Sequence, residues 1–164
     1  MSKIKKMKTA IFPGSFDPFT LGHLDVLQSA LKLFDKVVIA VGNNVQKKGF
    51  FPIEERIRII EASVKGMGNV IVCSYTGLTI DFCKKMDINF IIRGLRTTTD
   101  FELERVVAQA NAKMSPDILT VFIPSGHEYS FISSTVVRDV LVNGGDASSF
   151  MPAGIIISDY KKNI

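Results

Sequence analysis

The hydrophobic pattern alternates between two periods along almost the whole chain. Lys8–Phe12 is a short strand candidate, broken by Pro13-Gly14. Leu24, Leu27, Ala30, Leu31 and Phe34 then recur at helical spacing. Val37–Val41 is a continuous β-branched run of the kind a buried parallel strand shows. The polar segment 42–51 reads as a loop. Pro52 opens a stripe of Ile53, Ile57, Ile60 and Val64, a helix with proline at its start. Val70–Cys73, Asn89–Ile92 and Ile118–Ile123 are further strand candidates. Leu78–Met86, Asp100–Met114 and Ser134–Val142 are helix candidates, the last stopped by Gly144-Gly145. Phe150–Tyr160 contains Pro152 and Gly154 and fits a helix or a strand.

Five strands alternating with helices predict an α/β chain: a Rossmann-like, doubly wound, five-stranded parallel sheet with helices on both faces. Such sheets bind ligands at the carboxyl ends of their strands, where the strand order reverses. No linker or repeat divides the chain, so residues 1–164 read as one domain, with residues 1–7 as a flexible basic extension.

Composition adds little until charge is placed. The chain has 164 residues and a formal charge of +4. Lys3, Lys5, Lys6 and Lys8 supply four positive charges with no acid among them, so residues 9–164 are formally neutral. A nucleic-acid partner is therefore not expected. No apolar run approaches a bilayer span, and no secretory leader follows the basic start. Two cysteines without a metal spacing read as reduced thiols, which fits a cytoplasmic protein.

The chemistry gathers after the strands. The first is followed by Gly14-Ser15-Phe16-Asp17-Pro18-Phe19-Thr20-Leu21-Gly22-His23. Its glycines and prolines set a tight backbone, and Thr20 and His23 flank a helix start suited to phosphate. Neither a Walker A loop nor GxGxxG is present. The fourth strand is followed by Arg93-Gly94-Leu95-Arg96, two arginines that can grip phosphates. A third segment, Ile132-Ser133-Ser134-Thr135-Val136-Val137-Arg138, opens the next helix. His127 reads as an exposed loop residue. Asp17 could orient either His23 or its loop.

These segments resemble known motifs. TLGH is similar to the (H/T)xGH motif of the nucleotidyltransferase superfamily, and ISSTVVR to its ISSTxxR motif. RGLR followed by DFE, YSFISS, and Lys47-Lys48 before Glu54-Glu55-Arg56 together resemble the bacterial phosphopantetheine adenylyltransferases. The resemblance covers about residues 8–152. It implies a nucleotidyltransferase fold. It also implies transfer of AMP from ATP to 4′-phosphopantetheine, giving dephospho-coenzyme A and pyrophosphate by direct in-line attack.

The resemblance also implies roles. His23, Lys47 and Arg93 take catalytic positions, His23 at the α-phosphate and the two cations at the acceptor phosphate. Ser15, Phe16, His23, Gly94, Leu95, Arg96 and Glu104 match ATP contacts, as do Tyr129, Ser130, Phe131, Ile132, Ser133, Ser134 and Thr135. Ser15, Lys47, Thr79, Arg93 and Asn111 match acceptor contacts, although Thr79 stands where relatives carry an apolar residue. Mg2+ would ride on ATP phosphates and water, with no protein metal ligand. A homohexamer and feedback by coenzyme A are implied in the same way. Two other readings stay open at this point: a nicotinamide-mononucleotide adenylyltransferase, and a nucleotide- or nucleic-acid-binding regulator using Arg93 and Arg96.

Overall fold

The structure is a computed structural model and describes residues 7–44 and 46–163. The proposed basic extension thus lies mostly outside the described residues. Five strands form one parallel sheet: β1 (Thr9–Gly14), β2 (Lys36–Gly42), β3 (Val70–Tyr75), β4 (Phe90–Leu95) and β5 (Leu119–Pro124). Their order is β3-β2-β1-β4-β5. The connecting helices are α1 (Leu21–Ala30), α2 (Ile53–Ser63), α3 (Thr79–Lys85), α4 (Thr98–Met114) and α5 (Ser134–Val142). The expected fold class is the one found.

Alternation along the strands builds two cores. Ala10, Phe12, Val37, Ile39 and Val41 face one apolar cluster with residues of α1, α2 and α5. Ile11, Val38, Ala40 and Ile91 face the other, with Ile80 and Cys83 of α3. A strand buried on both faces must be apolar at every position, which is why Val37–Val41 reads as an unbroken run. Cys83 is buried, Cys73 half-buried, and both are free thiols.

Three boundaries differ from the pattern reading. The first strand does not stop at Pro13: it continues through Gly14, with Pro13 opposite Ala40 and Gly14 opposite Val41 of β2. On its other side β1 meets β4 only at Ile11↔Ile91. Past that point the β4 side of β1 makes no ladder for a proline to interrupt, and the Pro13 carbonyl accepts from the Arg93 side chain at 2.8 Å instead. The first helix ends at Ala30, so Leu31–Phe34 continue as a turn. The segment 150–160 is neither regular helix nor strand; it carries short 3-10 turns at Ser148–Phe150 and Ile157–Asp159.

The strand order reverses between β1 and β4. Gly94 lets β4 approach α1 closely there, since a Cβ at this position would stand 2.9 Å from Val26 Cγ2. Val26 is buried and cannot swing away. Gly94→Ala is therefore expected to cost about 1–3 kcal/mol of stability, measurable by urea unfolding. An unchanged midpoint would contradict that packing.

Candidate active site

A cleft of about 310 Å3 opens at the carboxyl ends of β1 and β4, where the order reverses. Besides Ser125 after β5, its walls come from four pieces of chain. They are Phe12–Phe16 after β1, the first turn of α1, Arg93–Arg96 with Asp100 and Glu104, and Ile132–Thr135 with Arg138. Helices α1 and α5 both begin at the cleft. Their first N–H groups have no partner within the helix, and each helix end carries partial positive charge. Ser133 caps α5, its hydroxyl accepting from the Val136 N–H at 3.1 Å.

The third segment of the motif set is tied to the first by hydrogen bonds. The Ser134 hydroxyl donates to the Pro18 carbonyl at 2.8 Å. Arg138 Nη1 donates to the Asp17 carbonyl at 2.6 Å, and Nη2 to Thr135 Oγ1 at 3.1 Å. Gly22 lets α1 sit against the 129–132 turn, where a Cβ would stand 3.2 Å from the Ile132 carbonyl oxygen. Asp25 on α1 accepts from the Gly126 N–H at 2.7 Å.

His23 is held in one tautomer. The Thr20 backbone N–H donates to its Nδ1 at 3.0 Å. A neutral ring must then carry its proton on Nε2. Phe19 stacks on one side, with ring centroids 5.4 Å apart, and Phe16 meets the ring edge-on at 5.1 Å. Phe16 takes a left-handed backbone, φ 45°, to reach that position. Burial, then the charges of Arg96 and Arg93, push the His23 pKa from 6.5 down to about 3. The ring is therefore a fixed, neutral N–H donor at physiological pH.

That state has a testable sign. The unfolded histidine takes up a proton near pH 6.5 and the folded one only near pH 3, so this group removes stability as pH falls through that window. Nitrogen NMR of the His23 ring is expected to show the neutral Nε2–H form still at pH 5. A ring that titrates near 6.5 would contradict the assignment.

Arg93 is the hub of the polar wall. Its Nε donates to Glu104 Oε2 at 2.7 Å, its Nη2 to Glu104 Oε1, and its Nη1 to the Pro13 carbonyl. Each terminal nitrogen keeps a second N–H outside these bonds. Arg96 pairs with Asp100, Nε to Oδ2 at 3.1 Å. Arg93 also borders two neighbouring cavities. One, about 230 Å3, is lined by Thr79, Ile91, Val107, Ala108, Asn111 and Thr120. The other is lined by Gly14, Ser15, Gly42, Asn43, Asn44, Gln46 and Tyr75–Gly77.

The structure sorts the sequence-derived residues accordingly. Ser15, Phe16, His23, Arg93, Gly94, Leu95, Arg96, Glu104, Ile132, Ser133, Ser134 and Thr135 line the cleft. Thr79 and Asn111 meet in the adjoining cavity, with the Thr79 hydroxyl 2.8 Å from the Tyr75 hydroxyl. Tyr129, Ser130 and Phe131 stand outside the cleft lining, and Phe131 is 64% exposed. Lys47 is exposed on the β2–α2 loop, while nearby Gln46 borders the cavity with Ser15. His127 is exposed. Asp17 holds its loop rather than His23: its carboxylate accepts the Phe50 and Phe51 N–H groups at 2.7 and 2.8 Å.

Sequence reasoning missed Arg56 and Asp25 as parts of this site. Arg56 is buried beneath the β1 loop and donates to the Ser15 carbonyl at 3.0 Å. Its position beside Ile53, Ile57 and Ile60 on the apolar stripe of α2 was the available signal.

Comparison with known proteins places this geometry. Residues 11–140 match the cytidylyltransferase-like family. The chain is 48% identical over 156 residues to a phosphopantetheine adenylyltransferase of Lachnoclostridium phytofermentans, spanning 95% of this chain and 96% of that one. It is 49% identical over 149 residues to the enzyme of the same name from Flavobacterium psychrophilum, spanning 91% and 98%. The chain belongs to the phosphopantetheine adenylyltransferase family. That membership favours the adenylyltransferase reading over a regulator. The fold extends further than the family. A putative nicotinate-nucleotide adenylyltransferase of Vibrio parahaemolyticus superposes with a TM-score of 0.67 at 22% identity, over 89% of this chain and 87% of that one. A bifunctional NMN adenylyltransferase/ADP-ribose pyrophosphatase of Francisella tularensis gives 0.70 at 19% identity, over 91% of this chain and 46% of that one.

Proposed function

We propose that this chain joins ATP and 4′-phosphopantetheine, forming dephospho-coenzyme A and releasing pyrophosphate. The observation that carries the reading is a neutral, tautomer-fixed histidine in the first turn of α1, lining the cleft at which α5 also begins. Beside it, one arginine borders both the nucleotide-sized cleft and the two side cavities.

In the reaction an oxygen of the acceptor phosphate attacks the α-phosphorus of ATP. A new P–O–P bond forms, the α–β bond breaks, and pyrophosphate carries away the electron pair. The nucleophile is already an anion at neutral pH, so no strong general base is required. The obstacle is repulsion between two anions, about 4 kcal/mol for unit charges 4 Å apart at an effective dielectric of 20. Arg93, with Lys47 brought over from its loop, offsets the charge of the acceptor phosphate. The α5 N-terminus at Ser133–Thr135 holds the β- and γ-phosphates, and Arg96 supports the nucleotide. The His23 Nε2–H donates to the α-phosphate oxygens, where charge shifts as the bond to pyrophosphate breaks. Thr79 and Asn111 line the pantetheine arm, and Ser15 bridges the two sites.

The donor set of the cleft does not fit a protein-held magnesium ion. Its described carboxylates, Asp100 and Glu104, are both occupied by arginines. In this reading Mg2+ belongs to the phosphates of ATP and to water, and no step runs through a protein-bound metal.

The same reading extends to feedback, assembly and location. Coenzyme A, which carries the product's two ends, competes for the same cleft. The chain works as a homohexamer in the cytoplasm, as one nucleotidyltransferase unit per chain. The assembly is supported by α4, whose 17 described residues include none that is buried; Leu103 is 67% exposed, and Val106 and Val107 also stand open. Among the described residues no helix is long and apolar enough to cross a membrane. Val106→Asp is expected to lower the mass found by light scattering while leaving the helical signal of circular dichroism intact. Unchanged mass would contradict α4 as the contact.

The activity test is pyrophosphate release from ATP and Mg2+ with 4′-phosphopantetheine, set against nicotinamide mononucleotide as acceptor. Turnover with the first alone is expected.

A further inference from the structure

The β2–α2 loop bordering the acceptor side is held at its far end by the irregular C-terminal segment that follows the Ile157–Asp159 turn. Asn163 makes both bonds. Its backbone N–H donates to the Phe50 carbonyl at 2.8 Å, and its side-chain Nδ2 to the Gly49 carbonyl at 3.0 Å. From the other side the Asp17 carboxylate takes the Phe50 and Phe51 N–H groups. Residues 49–51 are thus bonded on both edges, one edge to the β1 loop and the other to the C-terminal segment. Gly49 has no room for a side chain there: a Cβ would stand 3.0 Å from the Phe51 carbonyl oxygen and 3.1 Å from Asp17 Oδ2.

The C-terminal segment is itself docked on α2. The Arg58 guanidinium lies over the Tyr160 ring, 5.2 Å from its centroid, and is held by Glu55 at 2.7 and 3.0 Å. Tyr160 also packs against the main core. At the loop's near end, the Asn43 N–H donates to the Tyr75 carbonyl at 2.8 Å. Gln46 and Lys47 therefore hang between two anchors, and the far anchor depends on Asn163.

We propose that Asn163 is a positioning residue: it sets the height of the β2–α2 loop over the cavity formed by Ser15, Asn43, Gln46 and Arg93. It would thereby tune the affinity for the phosphorylated acceptor without touching it. The proposal rests on the reading that this loop serves the acceptor phosphate. Its physical basis is local. A loop end held by four hydrogen bonds loses one when the Asn163 amide goes, and its open states gain population. Asn163 bonds only to Gly49 and Phe50, neither of which lines the ATP cleft built by the β1 loop, α1, β4 and α5.

Two variants test it. Asn163→Ala removes the side-chain donor. Asn163→Asp keeps the shape but sets a carboxylate against the Gly49 carbonyl. In steady-state assays both are expected to raise KM for 4′-phosphopantetheine about 5- to 10-fold, which corresponds to about 1–1.4 kcal/mol. KM for ATP is expected to stay within about 2-fold, the precision of such comparisons. Hydrogen exchange at Gly49–Phe51 should quicken in both variants, while exchange in β1 and β4 stays unchanged. Equal KM values in variants and parent, with unchanged exchange, overturn the proposal. So does a rise in both KM values together, which marks general loosening. If the parent itself releases no pyrophosphate with 4′-phosphopantetheine, the acceptor reading fails. The exchange rates then decide the clamp alone, and unchanged rates overturn it.

Discussion

His23→Ala is expected to lower kcat by about 10²–10³-fold while leaving KM for ATP nearly unchanged. The separation follows from when the bond matters. The Nε2–H donor is fixed before substrate arrives, because Thr20 N–H occupies Nδ1 and two phenyl rings bracket the imidazole. Its bond strengthens as the α-phosphate oxygens redistribute charge, so the loss falls on the transition state. In the proposed reaction ATP is held mainly by the α5 N-terminus and the arginines, which the substitution does not touch. The lost bond to Thr20 also removes a helix-cap contact, worth about 1 kcal/mol of stability. Thermal unfolding separates that cost from the catalytic one. A kcat within threefold of the parent would remove His23 from the chemistry.

Arg93→Ala is expected to be as damaging and differently distributed. The guanidinium is bound to Glu104 through two nitrogens and to the Pro13 carbonyl through the third. Removing it leaves the half-buried Glu104 carboxylate unpaired beside the substrate phosphates. Cation loss and uncovered anion act in the same direction. Together they are expected to lower kcat/KM for 4′-phosphopantetheine by about 10²-fold or more, about 2.7 kcal/mol. Arg93→Lys should restore little of it, because an ammonium cannot make the planar fork and reach Pro13 at once. Binding of pantetheine without its phosphate, followed by calorimetry, should weaken much less than binding of 4′-phosphopantetheine. Equal weakening of both would contradict the acceptor-phosphate role. Double substitution with Glu104→Gln should recover part of the loss, since it removes the orphaned charge.

The fold was legible because burial on both faces forces a simple pattern. Val37–Val41 is apolar throughout, and α5 is delimited by Ser133 and Gly144 on the residues found. The strand ends were harder. Pro13 looks like a stop, yet β1 continues because β4 has already diverged from it and Arg93 satisfies the carbonyl. The divergence is a tertiary event that local pattern does not encode. The cleft was legible in outline, since three motifs each follow a strand and the reversal of strand order brings them together. The positions of Lys47 and Tyr129–Phe131 were not. They sit on loops whose course depends on distant bonds, such as Asp17 to Phe50–Phe51 and Gly126 to Asp25. Arg56 was hidden for the opposite reason. A charged residue on the apolar stripe of α2 acts from beneath, through the Ser15 carbonyl, and the Glu54-Glu55-Arg56 segment marks it without giving it a role.

The most direct measurement is made with ATP labelled at the α-phosphate, Mg2+, 4′-phosphopantetheine and the purified chain. One pyrophosphate is expected for each labelled dephospho-coenzyme A formed, with inversion at a chiral α-phosphorus, as a single in-line displacement requires. Retention at phosphorus would contradict direct attack. Absence of labelled product, with ATP intact, would contradict the proposed function itself.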